Sequence, residues 1–388
     1  MKHLLFATLA ALCLTAATAT SQTAAPLRPV CADSIYLMDF FWSGVQTQAM
    51  RTPVTTATAE PQLRLKTLRH SQLAELESQW DKTLDSLDIL GERPQTTLSQ
   101  SLSLFRQCCT LHQLTRRAKY MDLAEHLLAN SILPRWQSEE PGAAKDEATL
   151  LLRNVRQLAF SVEGSHVYAN IPMRANAHIK TPSVDLYLRS VNSSPWYNET
   201  TISISNSNAP VQLEDYDSLN IYQKKFYHDT TVVQPPCQAT LHLRIPLWAT
   251  GQTPLHGLSA ATLRKSSATV MVNGTVLNRP ASEDGYIAIT REWAVGDVVT
   301  IRIPTPIVRL TPLDQPATMA LQRGPFVYYY IGTDSGDSLS RQAAIDHEFS
   351  RQDRAVVLSG KLSDGKRWFF AQPYYLGGKK DKIFVPAT

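Results

Sequence analysis

The sequence predicts an α+β protein: a helical segment followed by antiparallel β-sandwich domains. Two observations carry this. Between about Leu63 and Leu133 the apolar residues recur at helical spacing. After Val162 the period shortens to strict alternation, with turn dipeptides between the runs and no further helical stretch.

In the helical segment, Leu98, Leu102, Phe105, Cys109 and His112 fall on one face, flanked by Leu104, Cys108 and Leu111. A second helix is expected from Lys119 to Leu133, with Tyr120, Leu123, Leu127 and Leu128 inward and Pro134 closing it. Ser138 to Asp146 is polar and contains Pro and Gly, so it reads as a loop; Leu150 to Phe160 reads as one more helix. The expected strands include His166–Asn170, Val184–Leu188, Thr201–Ser205, Thr240–Ile245, Ala268–Val272, Tyr286–Ile289 and Val298–Ile303. Asn273-Gly274 and Asp284-Gly285 are the turn signals between some of them.

Composition sets outer limits. Hydrophobic residues make up 43% of the 388 and charged residues 19%, a globular balance. A net charge of +4 with no long run of like charges gives no footprint for nucleic acid. Lys2 and His3 precede the apolar run LLFATLAALCL, and Ala17 and Ala19 form an A-x-A arrangement. That is the pattern of a signal peptide over residues 1–19, so an exported protein, periplasmic or secreted, is expected. Leu12 before Cys13 argues against lipid attachment, and no later segment is long and apolar enough to span a membrane. Cys31, Cys108, Cys109 and Cys237 contain no C-x-x-C pair, so neither a zinc ribbon nor a disulfide scaffold is indicated. Cys108 and Cys109 read as small core residues.

Several phrases then resemble, in order, the C-terminal half of glycoside hydrolase family 127, the β-L-arabinofuranosidase family. They are Leu243-Arg-Ile-Pro-Leu-Trp-Ala249, Val272-Asn-Gly274, Gly285-Tyr-Ile-Ala-Ile-Thr-Arg-Glu-Trp293 with Gly296-Asp297, Ala320-Leu-Gln-Arg-Gly-Pro-Phe-Val-Tyr328, and Pro373-Tyr-Tyr375. In the helical part, Asp39-Phe-Phe-Trp42, the stretch Leu76–Asp81 with Trp80, and Leu114-Thr-Arg-Arg-Ala-Lys-Tyr-Met-Asp122 are similar to family segments. The resemblance implies an (α/α)6 helical barrel, of which residues 32–160 would be a truncated remnant, since only 37 residues separate Trp42 from Trp80. Residues 161–388 would form the β-sandwich region, two nested sandwiches, with Pro373-Tyr-Tyr375 returning beside residues 161–250.

The resemblance also implies a cysteine nucleophile beside a zinc held by cysteines and a glutamate, with a second glutamate as acid/base. A metal or adjacent cation is what turns a thiol into a thiolate nucleophile. Here the Glu-x-Cys position reads Thr97-Leu98-Ser99, and the paired cysteines fall near Leu150-Leu151. None of these is a usual zinc ligand, so no cofactor is expected and the family's zinc site reads as lost. Glu92 is the one candidate for the acid/base; the alternative is a solvated loop glutamate.

Three functions follow. The first is an exported, catalytically inactive relative with a carbohydrate-related accessory role. The second is an active glycosidase acting on β-L-arabinofuranosides. The third is a non-enzymatic carbohydrate-binding or assembly module, for which Trp196, Tyr197, Tyr328, Tyr329 and Tyr330 are candidate stacking residues unless they are core.

Overall fold

The structure is a computed structural model that describes residues 25–37, 40–55, 70–87, 90, 96–189, 191–192, 199–206, 236–263, 267–278, 284–294, 296–331, 333–334, 336–351, 355–377 and 382–388. The expected signal segment, Glu92, Trp196 and Tyr197 lie outside the described residues.

Apart from the short strands Arg28–Pro29 and Ile35–Leu37, helices come first and strands after, as the change of period predicts. The helices are Phe40–Arg51, His70–Ser86, Leu98–Thr115, Ala118–Leu127, Leu133–Ser138 and Ala143–Arg153. Leu98–Thr115 starts with a reciprocal cap: Thr97 Oγ1 accepts from Gln100 N at 3.2 Å, and Gln100 Oε1 accepts from Thr97 N at 2.8 Å. It ends at Arg116 in the left-handed conformation. Leu98, Leu102, Phe105 and His112 are all buried, as the helical spacing requires.

The next helix differs from expectation. Pro134 does not close it. The chain passes from Ala118–Leu127 through a π turn, Leu128–Ile132, into Leu133–Ser138, with Pro134 in the first turn of that last piece. A widened turn lets the chain proceed past a residue that has no N–H to donate. Every residue from Ala118 to Leu133 is buried except Lys119. This central helix therefore packs on nearly all sides. The expected loop over Ser138–Asp146 is also shorter, because a helix begins at Ala143; it runs to Arg153, and Phe160 already opens a strand.

Three sheets follow. A five-stranded sheet has the order Arg28–Pro29, Phe160–Glu163, His166–Ala169, Cys237–Arg244, Tyr286–Trp293. Its middle pair, His166–Ala169 with Cys237–Arg244, is parallel. An eight-stranded sheet contains Thr275–Leu277, Thr269–Val272, Asp297–Pro304, Glu199–Asn206, Asp185–Arg189, Ala175–Lys180 and Ile35–Leu37, with Val191–Asn192 beside Glu199–Asn206. The other eight-stranded sheet runs Leu258–Thr262, Ile307–Pro312, Thr318–Arg323, Phe326–Ile331, Trp368–Pro373, Ala355–Lys361, Ile345–Ser350, with Val385–Pro386 off its path. Among the described residues, all strand pairs but the one parallel pair are antiparallel.

Asn273-Gly274 makes the expected hairpin, both residues at positive φ, between Thr269–Val272 and Thr275–Leu277. Among the described residues, the strand that leads into Tyr374-Tyr375 does not pair with a strand of residues 161–250. Trp368–Pro373 pairs instead with Phe326–Ile331 and Ala355–Lys361. The pairing with Ala355–Lys361 follows a short antiparallel connection, and the pairing with Phe326–Ile331 closes a longer one that contains Ile345–Ser350 and Ala355–Lys361. One continuous core joins helices and sheets, from Val30 and Trp42 through Leu127 and Leu243 to Val385.

Candidate functional site

The positions singled out by the sequence can now be placed. Thr97 is occupied as a helix cap, Leu98 is buried at 1% exposure, and Ser99 is exposed on the first helical turn. Leu150 and Leu151 lie on the Ala143–Arg153 helix, and Leu151 packs against the core. None of these side chains offers a donor suited to zinc, so the residues present do not fit the metal that the resemblance implies. Among the described residues, no three His, Cys, Asp or Glu side chains come together as a metal site.

Of the adjacent cysteines, Cys108 is a core residue and Cys109, half-buried, packs against the core. Cys108 is fully buried, and Trp80 Nε1 donates to its Sγ at 3.2 Å. Burial pushes the Cys108 thiol far up, and pushes that of Cys109 up to about 12. A thiol held protonated in this way is a poor nucleophile. Tyr328, Tyr329 and Tyr330 are likewise buried and belong to the core reading.

What the structure does bring together is a buried polar joint between the central helix and the five-stranded sheet. Asp122 and Glu125, three residues apart, share one face of the Ala118–Leu127 helix. Arg244, at the end of its strand, reaches both: Nη1 donates to Asp122 Oδ1 and Nη2 to Glu125 Oε2, each at 2.6 Å. Its Nε donates to the Asn170 carbonyl at 2.6 Å. Leu247 N donates to Asp122 Oδ1 at 3.0 Å and Trp248 Nε1 to Glu125 Oε2 at 3.1 Å. Burial raises Asp122 to about 6, opposed by Arg244 and the Leu247 amide.

A second chain of bonds continues from this joint. Tyr286 Oη donates to Asn170 Oδ1 at 2.9 Å, and its oxygen therefore accepts from His112 Nε2 at 2.8 Å. Beside it, Ala118 N, at the start of the central helix, donates to the Asp284 carbonyl at 2.7 Å, satisfying an end donor that no side chain caps. Further along, Asn130 in the π turn clasps the Gly324-Pro325 turn. Its Nδ2 donates to the Pro325 carbonyl at 2.7 Å, and its Oδ1 accepts from Val327 N at 2.8 Å.

These contacts give the resembling phrases a physical role. Arg244 and Trp248 come from one phrase, Gly285 and Tyr286 from another, Pro325 and Val327 from a third, and Asp122 from the helical one. They are the places where helix and sheets lock together. Chemically the joint is suited to holding structure, since Arg244, Asp122, Glu125 and Tyr286 are all buried.

The buried histidines make stability depend on pH. Burial lowers His112 to about 3, with Arg244 and Arg116 adding repulsion, and lowers His126 to about 4. In the unfolded chain both titrate near 6.5. A folded value below the unfolded one means stability that is complete above about pH 6.5 and is lost as pH falls towards 3–4. Asp122, raised to about 6, acts in the opposite sense over a narrower range and does not cancel this. The melting temperature is expected to fall as pH drops from 7 to 4.5. His112→Gln, which keeps a donor for Tyr286, should flatten that fall; an unchanged slope in a thermal melt series would refute the assignment to His112.

The chain is similar to known proteins in part of its sequence and in its fold. Residues 166–305 match the family model described as beta-L-arabinofuranosidase, GH127 middle domain. Among solved structures, the chain is similar to a GH127 beta-arabinofuranosidase, with TM-score 0.59 and 19% identity, covering 75% of this chain and 49% of that one. It is similar to a GH127 beta-L-arabinofuranosidase from Geobacillus stearothermophilus T6, with TM-score 0.59 and 17% identity over 78% of this chain and 51% of that one. A structure titled glycoside hydrolase matches with TM-score 0.54 and 15% identity, covering 75% and 52%. At these identities the solved structures speak to fold alone, and the chain spans about half their length. A search of curated proteins finds no match.

Proposed function

We propose, from this likeness to glycoside hydrolase family 127, that the chain is an exported relative without hydrolytic activity that serves a carbohydrate-related accessory role. In this reading its helices, over residues 32–160, are what remains of an (α/α)6 barrel, ahead of a β-sandwich region over residues 161–388. The observation that carries it is chemical. The positions that resemble the family's ligand and nucleophile residues hold Thr97, Ser99, Leu150 and Leu151. Thr97 is engaged as a cap, and Leu151 packs on the core. A glycosidase needs a nucleophile or base on one side of the sugar and a proton donor on the other, at a fixed separation. Leucine can neither attack an anomeric carbon nor ligate a metal, and Glu92 alone would leave the pair incomplete.

The test is incubation of the protein with an aryl β-L-arabinofuranoside and with arabinose disaccharides, with and without zinc and reductant. Release above a heat-denatured control is not expected. Turnover abolished by Glu92→Gln, or by Cys108→Ser or Cys109→Ser, would overturn the proposal and identify the group responsible. Export has its own readout: mass spectrometry of the secreted or periplasmic protein should find the chain cut near Ala19, and an intact Met1 would contradict it.

A further inference from the structure

One surface in the second eight-stranded sheet is not explained by the joint or by the core. Along Trp368–Pro373 the side chains alternate strictly. Phe369, Ala371 and Pro373 are buried, whereas Trp368 and Phe370 are 49% and 50% exposed. Successive outward positions on a strand lie about 6.5–7 Å apart. The two rings therefore stand side by side on one face.

The strand registers define what surrounds them. Phe370 lies opposite Ile331, itself 39% exposed, on one neighbouring strand, and opposite Ser359 on the other. Trp368 lies opposite Lys361, whose Nζ is 5.9 Å from the indole ring centre. One strand further out, Asp346 is opposite Ser359 and Glu348 is opposite Val357, both exposed on the same face. On the near side Gln372 Oε1 accepts the Tyr329 hydroxyl at 2.8 Å. The face is thus a pair of exposed rings flanked by carboxylates, an ammonium, a hydroxyl and an amide.

Large exposed aromatics in a sheet cost solvation unless something covers them. The centre of a protein–protein interface is depleted in charge, and aromatic anchors there sit among other apolar groups. Here acidic and basic side chains stand one and two strands from the rings. A sugar matches this mixture. Its axial C–H face is apolar and slightly positive, complementary to the negative face of an aromatic ring. Its hydroxyls point sideways, where carboxylates accept and ammonium groups donate hydrogen bonds.

We propose that the outer face of the strands Phe326–Ile331, Trp368–Pro373, Ala355–Lys361 and Ile345–Ser350 is a glycan-binding platform. Trp368 and Phe370 stack on successive sugar rings, and Lys361, Asp346, Glu348 and Ser359 bond the hydroxyls. This deepens the carbohydrate role proposed above and rests on it for its biological sense, though it is independent of any catalysis.

The test is native affinity electrophoresis of the full chain in gels containing debranched arabinan, xylan or hydroxyethylcellulose, beside size-exclusion chromatography with light scattering. Retardation is expected in at least one gel. Trp368→Ala and Phe370→Ala should weaken it at least tenfold, while Trp368→Phe, which keeps a ring, should retain most of it. Because both rings are only half-buried, on the outer face of the sheet, circular dichroism should show the fold retained. Retardation that survives Trp368→Ala would overturn the platform while leaving the carbohydrate reading in place. Absence of retardation in all three gels would overturn the platform; the hydrolysis assay is unaffected by that result. A dimer that Trp368→Ala converts to a monomer, with retardation intact, would assign the face to a second copy of the chain and overturn the proposal.

Discussion

Arg244→Met is expected to destabilise the protein by about 3–5 kcal/mol, the range for removing one partner from a buried ion pair. The reason is what it leaves behind. Asp122 and Glu125 are both buried, and Arg244 is the cation that bonds each at 2.6 Å. Without it two carboxylates face one another's charge across one helical turn, with, among the described residues, only the Leu247 amide and the Trp248 indole donating to them. The Asn170 carbonyl also loses its Arg244 donor. At a few degrees per kcal/mol, the melting temperature should fall by roughly 5–10 °C. Adding Asp122→Asn and Glu125→Gln to Arg244→Met should recover a large part of the loss, because neutral amides avoid the unpaired charge. A single Arg244→Met variant that melts with the parent would show that the joint does not hold helix and sheet together.

This joint also marks how far the sequence could be read. The strands were legible because one face of each is buried, so the period of two survives, as in Asp297–Pro304 and Tyr286–Trp293. The helix Leu98–Thr115 was legible for the same reason at a different period. The central helix was less so. Buried on nearly every side from Ala118 to Leu133, it has no polar face to set a phase, and Pro134 looked like an end because a π turn cannot be read from propensity. Pairing was not legible at all. Asp122 and Arg244 lie 122 positions apart, and the parallel match of His166–Ala169 to Cys237–Arg244 depends on contacts that no local pattern announces. The exposed rings were hidden by their neighbours: Trp368-Phe-Phe-Ala371 is a continuous apolar run, and only the sheet decides that Trp368 and Phe370 face outward while Phe369 goes in. The candidate at Glu92 falls outside the described residues.

The same joint predicts a backbone defect at Gly285, where two requirements meet in one residue. Its φ is +83°, a region that costs a residue with a side chain about 1–2 kcal/mol. A Cβ added there would also stand 2.7 Å from the Cβ of Ala118, closer than carbon atoms approach. Ala118 cannot withdraw without cost, because its N–H is the end donor held by the Asp284 carbonyl, and it is buried at the start of the central helix. Overpacking of this kind adds about 1–3 kcal/mol. Gly285→Ala is therefore expected to lose about 2–5 kcal/mol in denaturant melts. Two further variants divide the effect. Gly274→Ala has nearly the same φ, +79°, but open space around its added Cβ, so it should show the backbone cost alone. Gly285→Ala combined with Ala118→Gly relieves the clash and keeps the strained φ, so it should recover the packing part apart from the cost of a helical glycine, about 1 kcal/mol at most. Equal losses for Gly285→Ala and Gly274→Ala would mean that the helix start tolerates the extra methyl group, and that the close approach of Asp284-Gly285 to Ala118 does not fix the position of the helix on the sheet.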